Sequence, residues 1–143
     1  MRQQLSHFEI DDDSSRIDFA RVHAWLTTAY WSPGIEREKV ERAASGSATV
    51  IGAYADGKQV GYARVVSDKC TFAWLCDVFV DESFRGRGVA KAMVRFALDQ
   101  PYGAELRRWV LATRDAHTVY EECGFKVLEN PERWMARIKQ PPL

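Results

Sequence analysis

The spacing of apolar residues divides the chain into regions of different period. Phe19, Val22, Trp25 and Leu26 recur at helical intervals, and Asp18 stands where it can cap a helix running to about Thr28. A second helix is predicted from Glu36 to Ala44, charged on most faces and ended by Ser45-Gly46-Ser47. The period then shortens. Ala48–Ala55, Gln59–Val66 and about Thr71–Val80 read as strands, with Asp56-Gly57 and Ser67-Asp68-Lys69 as the turns of an antiparallel meander. His7–Ile10 reads as a short first strand, broken by the acidic run that begins at Asp11.

Helical spacing returns at Val89, Met93 and Phe96, with Ala92 and Ala97 beside them. Trp109–Ala112 is a short continuous apolar run, suited to a strand buried on both faces. Ala116–Cys123 reads as a short helix stopped by Gly124. Phe125–Leu128 and Trp134–Arg137 are expected to be closing strands, and the proline-rich tail (139–143) to be disordered. Helices, then a meander, then alternating strands and helices make an α/β (α+β mixed sheet) protein with helices on both faces of the sheet. Residues 1–143 are expected to form a single domain.

Composition narrows the function. Twenty Lys and Arg balance twenty Asp and Glu, which argues against a polyanion such as nucleic acid as the main partner. No apolar run is long enough for a membrane span, and no signal-peptide pattern opens the chain, so a cytoplasmic location is expected. Cys70, Cys76 and Cys123 show neither metal-ligand nor disulfide spacing, and no metal is expected.

The candidate chemistry lies between Trp74 and Leu98. An apolar strand carrying one carboxylate, Asp77, passes through Asp81–Phe84 into Arg85-Gly86-Arg87-Gly88-Val89-Ala90-Lys91 and then a helix. A glycine-rich turn at a helix start aims several backbone N–H groups and the positive helix end at one point, where a phosphate fits. The P-loop pattern G-x-x-x-x-G-K-S/T is missing. The dinucleotide pattern G-x-G-x-x-G fails as well, because Lys91 stands where its third glycine belongs.

What remains is Arg85-x-x-Gly88-x-Ala90 at a strand-to-helix junction. It resembles the pyrophosphate-binding signature Q/R-x-x-G-x-G/A of the GNAT superfamily of N-acetyltransferases. Ala116-x-x-x-Tyr120-x-x-x-Gly124-Phe125 is similar to that family's late motif, in which a helix tyrosine stands beside the sulfur of acetyl-CoA. Two motifs in the right order on suitable elements are far more specific than either alone. The resemblance is firmest from Trp74 to Phe125 and implies a single-domain GNAT-like fold.

The resemblance implies acetyl transfer from acetyl-CoA to an amine, by direct attack in a ternary complex. Backbone groups of Arg85, Gly86, Arg87, Gly88, Val89, Ala90 and Lys91 would hold the diphosphate. Val78, Phe79 and Val80 would line the pantetheine arm, with the Val78 N–H polarising the thioester carbonyl. Tyr120, protonated at neutral pH, would donate to the departing thiolate. Asp77 is the leading candidate for the base, although alternation points it away from Cys76 and Val78 unless the strand bulges. Tyr30 and Trp31 fall in the loop that lines the acceptor pocket in the family. Thr113 replaces a common CoA-contacting asparagine, and Asp115 or Arg114 could supply that contact. The partner is a small-molecule or peptide amine, with a possible homodimer through the closing strands. An alternative is a non-catalytic acyl-CoA-binding regulatory or scaffold module of the same fold.

Overall fold

Residues 1–139 are described by a computed structural model. Two short strands, β1 (Arg2–Gln4) and β2 (Glu9–Asp11), open the chain, followed by α1 (Phe19–Leu26) and α2 (Arg37–Ser45). The meander comes next as β3 (Thr49–Ala55), β4 (Lys58–Ser67) and β5 (Phe72–Val80). It is followed by α3 (Val89–Leu98), β6 (Arg108–Val110) and α4 (His117–Glu121). The strands form one mixed sheet in the order β1-β2-β3-β4-β5-β6, parallel only between β5 and β6.

Local chemistry accounts for most boundaries. The Asp18 carboxylate accepts from the Arg21 N–H at the head of α1. Asp56 and Gly57 both adopt positive φ, the geometry a two-residue turn needs to match strand twist. Gly124, at φ +95°, ends the α4 turn.

The sheet is covered on both faces. Ile51, Ala53, Ala63, Val65, Ala73 and Leu75 meet Val89, Met93, Phe96 and Ala97 of α3 on one side. On the other, Val50 and Tyr62 meet Val22, Trp25 and Leu26 of α1 and Val40 and Ala44 of α2. This second cover stops short of the β5 edge, where Val66, Phe72 and Trp74 remain exposed.

Several expectations need correction. The N-terminal strand is a hairpin: β2 begins at Glu9, and β1 pairs with it antiparallel. The buried run at Trp109 forms a strand only from Arg108 to Val110. Phe125–Leu128 and Trp134–Arg137 are not strands. Their backbone groups join no ladder, Pro131 starts a single 3-10 turn, and Val127, Met135 and Ile138 are largely exposed. Apolar, β-prone residues become a strand only where an edge supplies hydrogen bonds, and here none is reached. The expected disorder of the tail concerns residues that, beyond Lys139, lie outside those described.

Candidate functional site

Unequal pairing along β5 creates the site. At Phe72–Trp74 the strand is bonded on both sides, to β4 and to β6. From Leu75 to Val80 only β4 remains, so the other edge of β5 opens into a cleft of about 580 Å³. The cleft is lined by Tyr30, Trp31, the β5 residues from Trp74 to Val80, Arg85, Ala90, Thr113, Asp115 and Tyr120.

A bulge sits in the same stretch. Arg64 pairs with Cys76 and Tyr62 with Phe79, so Asp77 and Val78 together oppose one residue of β4. Asp77 takes the extra position with φ +54°, a conformation that costs a non-glycine residue about 1–2 kcal/mol. The bulge swings its carboxylate toward α1 and α2. There Oδ2 accepts from Arg64 Nε at 2.6 Å and Oδ1 from Trp31 Nε1 at 2.8 Å. Arg64 is held in turn near the Ser47 hydroxyl. Burial works against its guanidinium charge, but the hydrogen bond to Asp77 and the charges of Cys76, Asp77 and Tyr62 together outweigh it, leaving its pKa raised.

The head of α3 forms the second part. Gly88 is the residue before the helix, at φ +81°, and no side chain caps the end. From Gly86 to Lys91 no backbone N–H donates to an acceptor among the described residues. A Cβ added at Gly86 or Gly88 would meet nothing, so the surface above these amides is open. Six adjacent donors with no partner among the described residues, at the head of a ten-residue helix, have the geometry that could hold an anion.

The nearby cations divide their work. Arg85 lines the cleft, where its Nε donates to the Val80 carbonyl and its guanidinium lies over Phe79. Arg87 turns away and packs on Phe84. Lys91 pairs with Glu122 at 2.6 Å, joining α3 to α4. The anion would therefore rest mainly on backbone amides.

Tyr120 closes the third side. Its ring packs edge-on against Phe125, and no group among the described residues hydrogen-bonds its hydroxyl. Burial, with a smaller contribution from Tyr30, pushes its pKa up to about 12. Thr113 Oγ1 accepts from the Ala116 N–H and so supports the turn into α4. Arg114 lies 3.9 Å above the Tyr30 ring, and its N–H donates to the Tyr30 hydroxyl at 2.9 Å. Asp115 lines the cleft. Cys76 is no nucleophile at neutral pH, because burial pushes its thiol up to about 11.

The cleft thus combines an open strand edge, an unpartnered helix head and a free phenol. Residues 8–125 match the family described as Acetyltransferase (GNAT) family. The chain belongs to the GNAT acetyltransferases. A crystal structure of a protein from Xanthomonas campestris pv. campestris, described as belonging to the GNAT family, is similar at 38% identity. That match covers 95% of this chain and 96% of the other, with a TM-score of 0.89. A GNAT-family acetyltransferase from Streptococcus pneumoniae shares the fold at 22% identity, covering 99% and 98% of the two chains, with a TM-score of 0.70. Glucosamine-6-phosphate N-acetyltransferase from Arabidopsis thaliana shares it at 18% identity, covering 94% and 97%, with a TM-score of 0.61. No curated protein matches the chain.

As a GNAT acetyltransferase the protein is an acyltransferase, in a family that generally uses acetyl-CoA as co-substrate. Arg64 escaped the sequence reading, although one signal was available. It is the one cation within the mostly apolar run Gln59–Val66, one hairpin away from the lone carboxylate Asp77. The signature singled out Arg85 over Arg87, but the direction each side chain takes was not readable in the sequence.

Replacing Gly88 by Ala forces a side chain into the left-handed region and over the amide cradle, at a cost of about 1–2 kcal/mol in stability. Isothermal calorimetry with CoA should show affinity reduced roughly tenfold in that variant. Arg87→Ala, which alters only a side chain turned off the cleft, should stay within about twofold of the parent. Equal losses in the two variants would contradict the backbone cradle.

Proposed function

We propose that the protein is an acetyl-CoA-dependent N-acetyltransferase, a single catalytic domain acting on a small-molecule or peptide amine in the cytoplasm. One observation supports the reading: the head of α3, through Arg85 and Ala90, and Tyr120 line one cleft along the unpaired edge of β5, and the Gly86–Lys91 amides at that helix head have no partner among the described residues. The cytoplasmic placement leans on three free cysteines.

In this reading the diphosphate rests on the Gly86–Lys91 amides, and the pantetheine arm runs along Val80, Phe79 and Val78. The bulge sets Asp77 and Val78 opposite one residue of β4, and in this reading the Val78 N–H donates to the thioester oxygen as negative charge develops. A donor of this kind lowers a barrier by roughly 3–4 kcal/mol. The amine nitrogen attacks the carbonyl carbon, the C–N bond forms, and the C–S bond breaks with its electron pair on sulfur. The nitrogen gives up a proton to solvent, and the thiolate gains one.

Tyr120 donates a hydrogen bond to that thiolate as it forms. A phenol held near 12 is a weaker acid than a free thiol near 8.5, so it keeps its own proton, and the thiolate takes its proton from solvent. Its high pKa keeps it a donor throughout the physiological range. No covalent acyl-enzyme is needed, since no cysteine or serine in the cleft has a neighbouring base to activate it.

Asp77 enters the proposal as a positioning residue. Both carboxylate oxygens already accept hydrogen bonds, and through Trp31 they fix the loop after α1 against β5. Water in the open cleft carries the amine proton away.

Tyr120→Phe should lower kcat by about a hundredfold with little change in CoA affinity, measured by thiol release under saturating amine. The sign of the pH dependence follows from the raised pKa. The neutral phenol persists up to about 12, so Tyr120 contributes no alkaline loss below roughly pH 11. Activity should climb through the pKa of the acceptor amine and then level off. A decline setting in near pH 9, absent in Tyr120→Phe, would contradict the assignment.

Asp77→Asn keeps the shape and an acceptor for Trp31 while removing the charge facing Arg64. It should raise the amine KM several-fold and leave the pH profile of kcat/KM unchanged. Loss of the acidic limb of that profile would instead make Asp77 the base.

A further inference from the structure

The acceptor side of the cleft carries chemistry that the donor side does not use. Trp74 lines the cleft on β5 yet is 37% exposed, although its size would favour burial. Val66 lies directly across the ladder from it, and Phe72 precedes it on the same face of the strand. These two are exposed at 43% and 36%, beyond the reach of α1 and α2. Tyr30 and Trp31, edge to face at 5.0 Å and exposed at 44% and 41%, form the opposite lip. A patch of this kind continuous with a catalytic cleft marks a surface made to be covered by a ligand.

Charge defines the ligand further. The cations near the acceptor end are committed. Arg64 is bound to Asp77. Arg114 is stacked on Tyr30 and lies 3.4 Å from Asp115. Arg85 belongs to the turn that leads into α3 and already donates to the Val80 carbonyl. Among the described residues that line the cleft, Arg85 is the one cation, so none is left there to receive a phosphate on the acceptor. Asp115 lines the cleft and is two-thirds exposed beside Arg114, so its carboxylate has room for a second cation and, with the aromatic faces, favours an ammonium group.

We propose that the acceptor is a primary amine bearing an aromatic or bulky apolar body that lies on Trp74, with its nitrogen directed between Trp31 and Tyr120. The proposal rests on the acetyltransferase reading and adds the class of substrate. Phosphorylated sugars and polyamines are excluded, the first for want of a cation and the second for want of an acidic track. Trp74 is then a specificity-determining residue that the reaction chemistry itself does not require.

The test is a panel of acceptors at fixed acetyl-CoA, read by thiol release, with acetyl-CoA binding followed separately by calorimetry. The amines are 2-phenylethylamine, a phenylalanine-leading tripeptide amide, a serine-leading counterpart, spermidine and glucosamine 6-phosphate. The two aromatic acceptors should exceed the other three in kcat/KM by about tenfold or more, and the better of the two tells a small amine from a peptide end. Trp74→Ala should raise the KM of the preferred acceptor about tenfold with kcat and acetyl-CoA affinity little changed, and Trp74→Phe should restore most of it. Comparable or higher kcat/KM for a polar acceptor, no turnover of either aromatic amine, or an unchanged KM in Trp74→Ala would each overturn the proposal. If acetyl-CoA still binds in those cases, the donor reading stands and only the acceptor class fails. Absence of acetyl-CoA binding would remove both.

Discussion

Everything at the site follows from the point where β5 loses its second neighbour. Up to Trp74 the strand is bonded on both sides; beyond it, the parallel partner β6 has ended. A central strand with one bare edge is ordinarily a liability, since its unpaired groups invite another chain. Here the bare edge is sheltered by α4 on one side and by the loop carrying Tyr30 and Trp31 on the other, so only a narrow ligand can use it. The bulge at Asp77 belongs to the same constraint. A strand that has lost one partner tolerates the extra residue, which breaks the register with β4 and turns a carboxylate onto the loop carrying Trp31.

The two halves of the cleft are held by different forces. The end at the head of α3 is backbone: a left-handed glycine, an uncapped helix and a row of amides that no described side chain satisfies. The end at Tyr30 and Trp31 is side chain, tied across the fold by Trp31 on Asp77, Arg64 on Asp77 and Arg114 on Tyr30. The likeness to the Arabidopsis glucosamine-6-phosphate enzyme extends to the fold alone.

Legibility in the sequence tracks how local each determinant is. Asp56-Gly57, the Asp18 cap, the apolar stripe of α3 and the turn at Gly86–Gly88 are each settled within a few residues, and all were readable. The strand-like runs Phe125–Leu128 and Trp134–Arg137 were not, because pairing depends on an edge that composition cannot show. The outward turn of Arg87 and the inward turn of Arg85 depend on which aromatic ring lies nearby. The Arg64–Asp77 pair requires the register of a bulged hairpin, which only the folded ladder reveals.

Amide NMR during a titration with acetyl-CoA tests the central claim most directly, since it reports on the backbone groups themselves. Stoichiometric acetyl-CoA should shift the amide resonances of Gly86–Lys91 and Val78 most strongly and slow their hydrogen exchange, with smaller changes elsewhere. Unchanged resonances in those segments at saturating acetyl-CoA, or changes concentrated on another face of the sheet, would contradict the account.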